Sequence, residues 1–223
     1  MTIDEAERRR VRMVETQIAQ RGVADASVLA AMRQVPREDF VAAQWRSSAY
    51  DDDPLPIENG QMISQPYIVA RMLETAAIRS TDRLLEVGAG SGYASALASR
   101  IAVNVYAIER HAELGVLARA RLAHLGYTNI ALRCGDGTLG WPEAAPFDVI
   151  LVSAGGPRVP EALLSQLATG GRLVMPVGAH GTYQRLTRVT RRGDAKFDTD
   201  VFEAVCFVPL IGAQGWSSNL NCD

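Results

Sequence analysis

Apolar side chains recur with helical spacing through the first part of the chain. Between residues 4 and 21 they fall at Val11, Val14 and Ile18, and Gly22 is a stop signal. Asp25 is placed to cap a second helix carrying Val28, Leu29, Met32 and Val35, which Pro36 ends. Residues 46–62 break the pattern with Asp51, Asp52, Asp53, Pro54, Pro56, Asn59 and Gly60. This stretch reads as a loop, long enough to be functional rather than a connector. Ser64-Gln65-Pro66 then opens a helix with Ile68, Val69, Met72, Leu73 and Ala76 inward.

From residue 83 the pattern alternates between continuous apolar runs and helical stripes. Strands are predicted at 83–87, 103–108, 130–133, 147–152 and 171–177, with helices at 91–101, 112–125 and 160–167. Such alternation argues for a parallel sheet covered on both faces. The end differs: 183–191 and 201–208 are both strand-like, with a Gly193-Asp194 turn between them, and read as a closing antiparallel hairpin. The predicted fold is an α/β Rossmann-like sheet, mostly parallel, with a C-terminal antiparallel hairpin and an N-terminal helical addition. Residues 1–80 are assigned to a helical region and substrate loop packed on the main domain, residues 81–223 to the sheet domain, the whole forming one compact unit.

The bulk properties narrow the class. A chain of 223 residues with 48% apolar and 22% charged positions is of ordinary globular type. Its net charge of −2 lacks the basic footprint of nucleic-acid binders. No apolar run approaches the ~18 residues that cross a bilayer, and the charged N-terminus lacks the apolar core of a secretory signal. Cys134, Cys206 and Cys222 form no C-x-x-C, and His111, His124 and His180 are scattered, so neither a disulfide framework nor a metal site is expected. The expected setting is a monomer in the cytoplasm, without nucleic-acid or membrane partners.

The candidate chemistry begins where the first sheet strand ends. Leu84-Leu85-Glu86-Val87 runs into Gly88-Ala89-Gly90-Ser91-Gly92, and glycine there lets bare backbone N–H groups approach a ligand. The pattern is G-x-G-x-G; the dinucleotide fingerprint G-x-G-x-x-G needs a third glycine where this chain has Tyr93. That favours a nucleoside bearing an amino acid over a pyrophosphate cofactor. Glu109 lies 21 positions after Gly88 at a strand tip, the place of a ribose-binding acid; the plainer reading is a surface glutamate paired with Arg110 or Arg133. Asp136, between Gly135 and Gly137, suits either an adenine amino group or simple turn chemistry. Glu86 is either a partner for N–H groups of the ligand loop or a buried anion needing another partner. Ser64 reads by propensity as a helix N-cap, a role compatible with binding a carboxylate at the helix N-terminus. The stretch 207–216 is either a last strand and its tail or a cover over a ligand.

Leu85-Glu86-Val87-Gly88-Ala89-Gly90-Ser91-Gly92-Tyr93 resembles motif I of the S-adenosylmethionine-dependent methyltransferases. The flanking blocks narrow the resemblance: Val35-Pro36-Arg37-Glu38-Asp39-Phe40-Val41, Leu55-Pro56-Ile57, Gly60-Gln61, Ile63-Ser64-Gln65-Pro66-Tyr67-Ile68-Val69-Ala70, Gly135-Asp136-Gly137 and Phe207-Val208-Pro209-Leu210. Together they resemble the protein-L-isoaspartate (D-aspartate) O-methyltransferase family across nearly the whole chain. The resemblance implies a Rossmann-like methyltransferase using S-adenosylmethionine and yielding S-adenosylhomocysteine. Its substrates would be isoaspartyl-containing proteins or peptides, whose methyl esters close to a succinimide. It also implies Ser64 as the active-site residue, Gly88, Gly90 and Glu109 at the methionine and ribose portions, and Asp136 with Gly137 at the adenine. The full cofactor-binding set it suggests is Met62, Ile63, Gln65, Glu86, Gly88, Ala89, Gly90, Ser91, Gly92, Glu109, Arg110, Asp136 and Gly137.

The chain departs from the family in two places near Ser64. The usual text is Pro-Ile-Gly-x-Gly-Gln-Thr-Ile-Ser; here Glu58 stands at the first glycine and Met62 at the threonine. Glu58 is expected to add negative charge beside the carboxylate pocket, and Met62 removes a hydroxyl donor. After the fourth strand of the sheet, Ser153-Ala154-Gly155-Gly156-Pro157 replaces Thr-Ala-Ala-Pro. Three alternatives follow: a carboxyl methyltransferase for the aspartate of one dedicated peptide, a NAD-dependent oxidoreductase, which Tyr93 disfavours, and a non-catalytic cofactor-binding relative, which Ser64 disfavours.

Overall fold

The computed structural model describes residues 2–179 and 181–217, so His180 and Cys222 lie outside the described residues. Thr2 caps helix α1 (Ile3–Met13) by accepting from the Glu5 N–H at 3.2 Å. The predicted single helix over 4–21 is helical throughout but changes pitch, passing into a π-helical turn at Val14–Ile18 and a 3₁₀ turn at Ala19–Arg21 before Gly22 (φ 97°). Asp25 caps α2 (Ala26–Gln34) as expected, its Oδ1 accepting from the Ser27 and Val28 N–H groups at 2.8 and 3.1 Å.

Residues 46–62 are more ordered than a loop. They contain a short antiparallel pair, β1 (Leu55–Pro56) and β2 (Met62–Ile63), with Leu55 opposite Ile63. Tertiary ties fasten the stretch before it: Arg21 to Asp52 (2.5 Å), Arg9 to Asp51 (3.2 Å) and the Gln17 amide to the Tyr50 carbonyl (3.0 Å). Helix α3 (Pro66–Ala76) follows. Its N-cap is Gln65, which makes no side-chain cap bond; Ser64 lies one residue outside and is not the cap. The proline at the first helical position moves the boundary by one residue.

The remaining elements are β3 (Arg83–Val87), α4 (Tyr93–Ser99), β4 (Asn104–Glu109), α5 (Ala112–His124), β5 (Ile130–Cys134), β6 (Phe147–Val152), α6 (Glu161–Ser165), β7 (Leu167–Val177), β8 (Gln184–Gly193) and β9 (Lys196–Val205). The sheet order is β5-β4-β3-β6-β7-β8-β9. The five strands from β5 to β7 are parallel, and β8 and β9 are added antiparallel. The hairpin turn lies at Asp194-Ala195 rather than Gly193-Asp194, with Gly193 opposite Lys196. β9 begins earlier than its apolar pattern suggests, because most of this edge strand is exposed and polar.

Alternate residues of the strands feed two cores on opposite faces. Leu84, Val105 and Val149 join one with Met13, Met32 and Leu73 from the N-terminal helices. Leu85, Ile108 and Ile150 join the other with Leu163. The N-terminal region and the sheet therefore share a core. Among the described residues no helix is long and apolar enough to cross a membrane.

Arg172 of β7 seals the far end of α3. It donates to the carbonyls of Ala76 (3.0 Å) and Ala77 (2.6 Å) and pairs with buried Asp82 at 2.6 Å. Arg172→Met should destabilise the protein by about 3 kcal/mol in urea unfolding, because it strands a buried carboxylate and two carbonyls. Adding Asp82→Asn should recover part of that loss.

Candidate active site

The strand order turns at β3, with β4 on one side and β6 on the other, so their carboxyl ends open a crevice. Gly88, Gly90 and Gly92 turn the chain there with φ of 86°, 54° and 90°, a region that favours glycine. The N–H groups are not bare, however. Those of Gly88 and Ala89 donate to the Ile108 carbonyl (2.8 and 3.1 Å), that of Gly92 to Ala89 (2.8 Å) and that of Gly90 to Glu109 Oε2 (2.9 Å). The loop gives a ligand room rather than these donors. Tyr93 begins α4 and is buried, its ring 5.5 Å from Phe40 and 5.1 Å from the Arg37 guanidinium.

Glu109, at the tip of β4, is 4% exposed. Its two oxygens accept from the N–H groups of Gly90 and His111, both at 2.9 Å. The surface-glutamate reading therefore fails: Arg133 instead meets Glu143 (3.1 Å) and the Gly140 carbonyl (2.7 Å). Glu86 is 1% exposed and accepts from the hydroxyls of Ser95 and Ser153, the latter at 3.1 Å. Burial pushes its carboxyl up to about 7; the two serine hydroxyls oppose that rise and the nearby Glu109 charge adds to it. Neither glutamate has an ion-pair partner among the described residues.

Three adjoining cavities meet at the crevice. The first is bordered by Glu86, Gly88, Ala89, Gly90, Ser91, Ile63 and Ser64. The second runs over Gly88, Gly90, Glu109, Arg110 and Gly137 beneath Pro209 and Leu210. The third is a groove along Pro54, Gln65, Ile68 and Phe207, with Ser64 on its wall. Met62 and Ser153 border all three. Ser64 thus stands between the first cavity and the groove, and its hydroxyl has no partner among the described residues. The Gln65 amide donates to the Asp52 carbonyl at 2.7 Å, tying the segment in place.

Two members of the suggested set line none of these cavities. Gly92 caps α4 and packs on Leu122. Asp136 turns to the C-terminal tail: its Oδ1 accepts from Thr138, and its Oδ2 accepts from the Ala213 N–H at 2.7 Å. Burial opposes ionisation of Asp136, but these backbone and hydroxyl donors prevail and hold its carboxyl below the usual range. Gly137 does border the second cavity, and a Cβ there would overlap Val87 Cγ1. The tail returns over the sheet through Leu210 N–H to Gly155 (2.8 Å) and Trp216 N–H to Leu210 (2.7 Å).

Sequence reasoning gave no role to Ser95 or Ser153. Their positions carry a usable signal: Ser153 directly follows β6 beside the strand that ends at Val87, and Ser95 faces inward from the helix opened by the glycine loop.

The family model described as protein-L-isoaspartate (D-aspartate) O-methyltransferase matches residues 8–215. The chain belongs to this family. It is 56% identical over 210 residues to protein-L-isoaspartate O-methyltransferase 2 of Pelobacter propionicus, covering 94% of this chain and 93% of that one. It is 60% identical over 206 residues to the Methylorubrum extorquens protein-L-isoaspartate O-methyltransferase, covering 92% and 90%. A structure from Plasmodium falciparum, described as a protein-L-isoaspartate O-methyltransferase in complex with S-adenosyl-L-homocysteine, superimposes with a TM-score of 0.79 at 25% identity, covering 91% of this chain and 98% of that one.

Against the family's usual text, the charge of Glu58 does not face the carboxylate pocket as expected. It lines none of the three cavities and lies 3.7 Å from Arg121, whose guanidinium also holds the Ser91 carbonyl at 2.8 Å. Glu58 therefore links the tip between β1 and β2 to the glycine loop.

Glu86 makes stability depend on pH. With its carboxyl raised from 4.5 to about 7, the folded chain keeps a proton that the unfolded chain loses, so stability falls as pH rises through that window. Glu86→Gln should remove the fall. Urea unfolding should show little gain for the variant at pH 4 and a gain approaching about 3 kcal/mol at pH 8.

Proposed function

We propose that this protein methylates the free carboxylate of isoaspartyl and D-aspartyl residues in damaged proteins and peptides, starting their repair through a succinimide, with S-adenosylmethionine as donor. One observation carries the reading: two buried carboxylates, Glu86 and Glu109, border adjoining cavities beside the glycine turn and make no ion pair among the described residues. Such a site suits a positively charged nucleoside with ribose hydroxyls and disfavours an anionic pyrophosphate. When bound, S-adenosylmethionine supplies a methyl group on a positively charged sulfur. Glu86 would meet the ammonium of its amino-acid portion, Glu109 would accept from the ribose hydroxyls, and Gly137 would border the space for the base.

The nucleophile needs no base, since a carboxylate with a reference pKa near ~3.5 is ionised at neutral pH. The chain's task is to orient it and strip its water. Ser64 donates a hydrogen bond to one carboxylate oxygen and leaves the other free to react. The N-terminus of α3, which begins two residues later, favours the negative charge. Met62, Ile68, Phe207 and Val208 give the groove an apolar wall. Ion pairs from Arg9 to Asp51 and from Arg21 to Asp52 tie the start of the segment 50–63, on the groove side, to the N-terminal region. With Glu58 paired to Arg121, one of the departures that left a dedicated aspartyl peptide open is directed away from the groove.

Tritiated methyl transfer should label an isoaspartyl peptide and leave its aspartyl twin unlabelled; equal labelling would overturn the substrate assignment. Ser64→Ala should lower turnover by roughly 10- to 100-fold, the loss of one hydrogen bond to a charged group, while the Kd for S-adenosylhomocysteine stays within about twofold. A bound ammonium favours the charged form of Glu86. Calorimetry at pH 6 in buffers of different ionisation enthalpy should therefore show a proton released on cofactor binding, and Glu86→Gln should abolish the release.

A further inference from the structure

Met62 differs from the other methionines among the described residues. Its side chain is 41% exposed, whereas Met13, Met32, Met72 and Met175 are at most 4% exposed. It borders all three cavities and shares two of them with Ser64. A thioether is oxidised where an oxidant can reach the sulfur, so attack should fall on this residue first.

We propose that Met62 is a sulfoxidation site for hydroperoxides, and that its oxidation reversibly stops methyl transfer; the inference rests on the methyltransferase reading above. A lone pair of the Met62 sulfur attacks one peroxide oxygen and forms the S–O bond as the O–O bond breaks. The departing oxygen takes up the proton that the transferred oxygen gives up and, with hydrogen peroxide, leaves as water. Sulfur is oxidised by two electrons and the peroxide is reduced by two.

The physical consequence follows from the position. A soft apolar group becomes a polar one with a strong acceptor oxygen. It lies on the wall where the substrate carboxylate must lose its water, so the sulfoxide brings water back. Its oxygen also adds an acceptor to the two cavities that Met62 shares with Ser64, whose hydroxyl has no partner among the described residues. A ligand in the first two cavities covers Met62, so the same residue is shielded during turnover. The exposed thiols of Cys134 and Cys206 also react with peroxide, and Cys206 borders the groove. Dithiothreitol reverses early thiol oxidation but leaves a sulfoxide in place.

The test uses the full chain, treated with hydrogen peroxide and then dithiothreitol, with peptide mass mapping beside methyl transfer to an isoaspartyl peptide. Met62 sulfoxide should form at least about tenfold faster than sulfoxide at the four buried methionines. Activity should fall in step with it, and a mixture of the two epimer-specific methionine sulfoxide reductases, with a dithiol supplying the two electrons, should restore it. S-adenosylhomocysteine should slow the modification. Met62→Leu, compared only with its own untreated activity, should resist the oxidant. Complete oxidation of Met62 with undiminished activity would overturn the proposal, as would a loss that dithiothreitol alone reverses or that Met62→Leu shares. If untreated protein methylates no isoaspartyl peptide, the functional reading fails and with it the claimed shut-off; the mass map still decides whether Met62 is the reactive methionine.

Discussion

Glu86 and Glu109 stand at the carboxyl ends of neighbouring strands, nearly closed to water and with no ion-pair partner among the described residues. Burying such charges is costly unless dipoles or a ligand compensate. The protein uses dipoles: hydroxyls of Ser95 and Ser153 for one, backbone N–H groups of Gly90 and His111 for the other. Those bonds shape the glycine turn, because the Gly90 N–H held by Glu109 is not available to a phosphate. The hydroxyls offset the burial of Glu86 only in part, and its carboxyl stays raised to about 7. On the proposed reading, a cationic ligand would relieve what the fold only partly offsets.

Helix α3 joins this site to the rest of the molecule. Ser64 precedes it, Gln65 ties its start to Asp52, and Arg172 closes its end. Along its length Arg71 pairs with Glu203 of β9 at 2.9 Å, and Glu74 accepts from the Ala24 N–H at 2.6 Å, just before α2. The helix thus holds the N-terminal region, the sheet hairpin and the segment 50–63 in one frame. A serine on a short connection is aimed because both its flanks are anchored.

Much of the architecture was legible because the central strands are buried on both faces and read as unbroken apolar runs, as at Leu84–Leu85 and 147–152. The start of the edge strand β9 was not, since exposure and polar residues erased the apolar pattern over its first half. The β1–β2 pair was hidden by the Asp, Pro and Gly content of its surroundings, although ion pairs from α1 and the turn after it fasten the stretch before the pair. At the site, the glycine turn and Glu109 carried their own signals of type and spacing, whereas Ser64 signalled a helix N-cap, which the structure gives to Gln65, and its place beside the cavities followed from the resemblance. Asp136 carried the signal of two roles, and its hydrogen bonds favour the turn and the tail.

From its residues alone the chain determined the order of its elements, the glycine turn with an acid one strand away, and the blocks that mark its family. These are local matters of periodicity, turn chemistry and spacing. Only the tertiary structure decided that Glu86 would be raised toward neutrality, that Glu58 would be directed to Arg121, and that Met62 and Ser153 would stand where three cavities meet. The physical reason is that burial and pairing are set by groups far apart in the chain. Ser153 lies 67 residues from Glu86, and Ala213 lies 77 from Asp136. No local pattern records which of them packing will bring together.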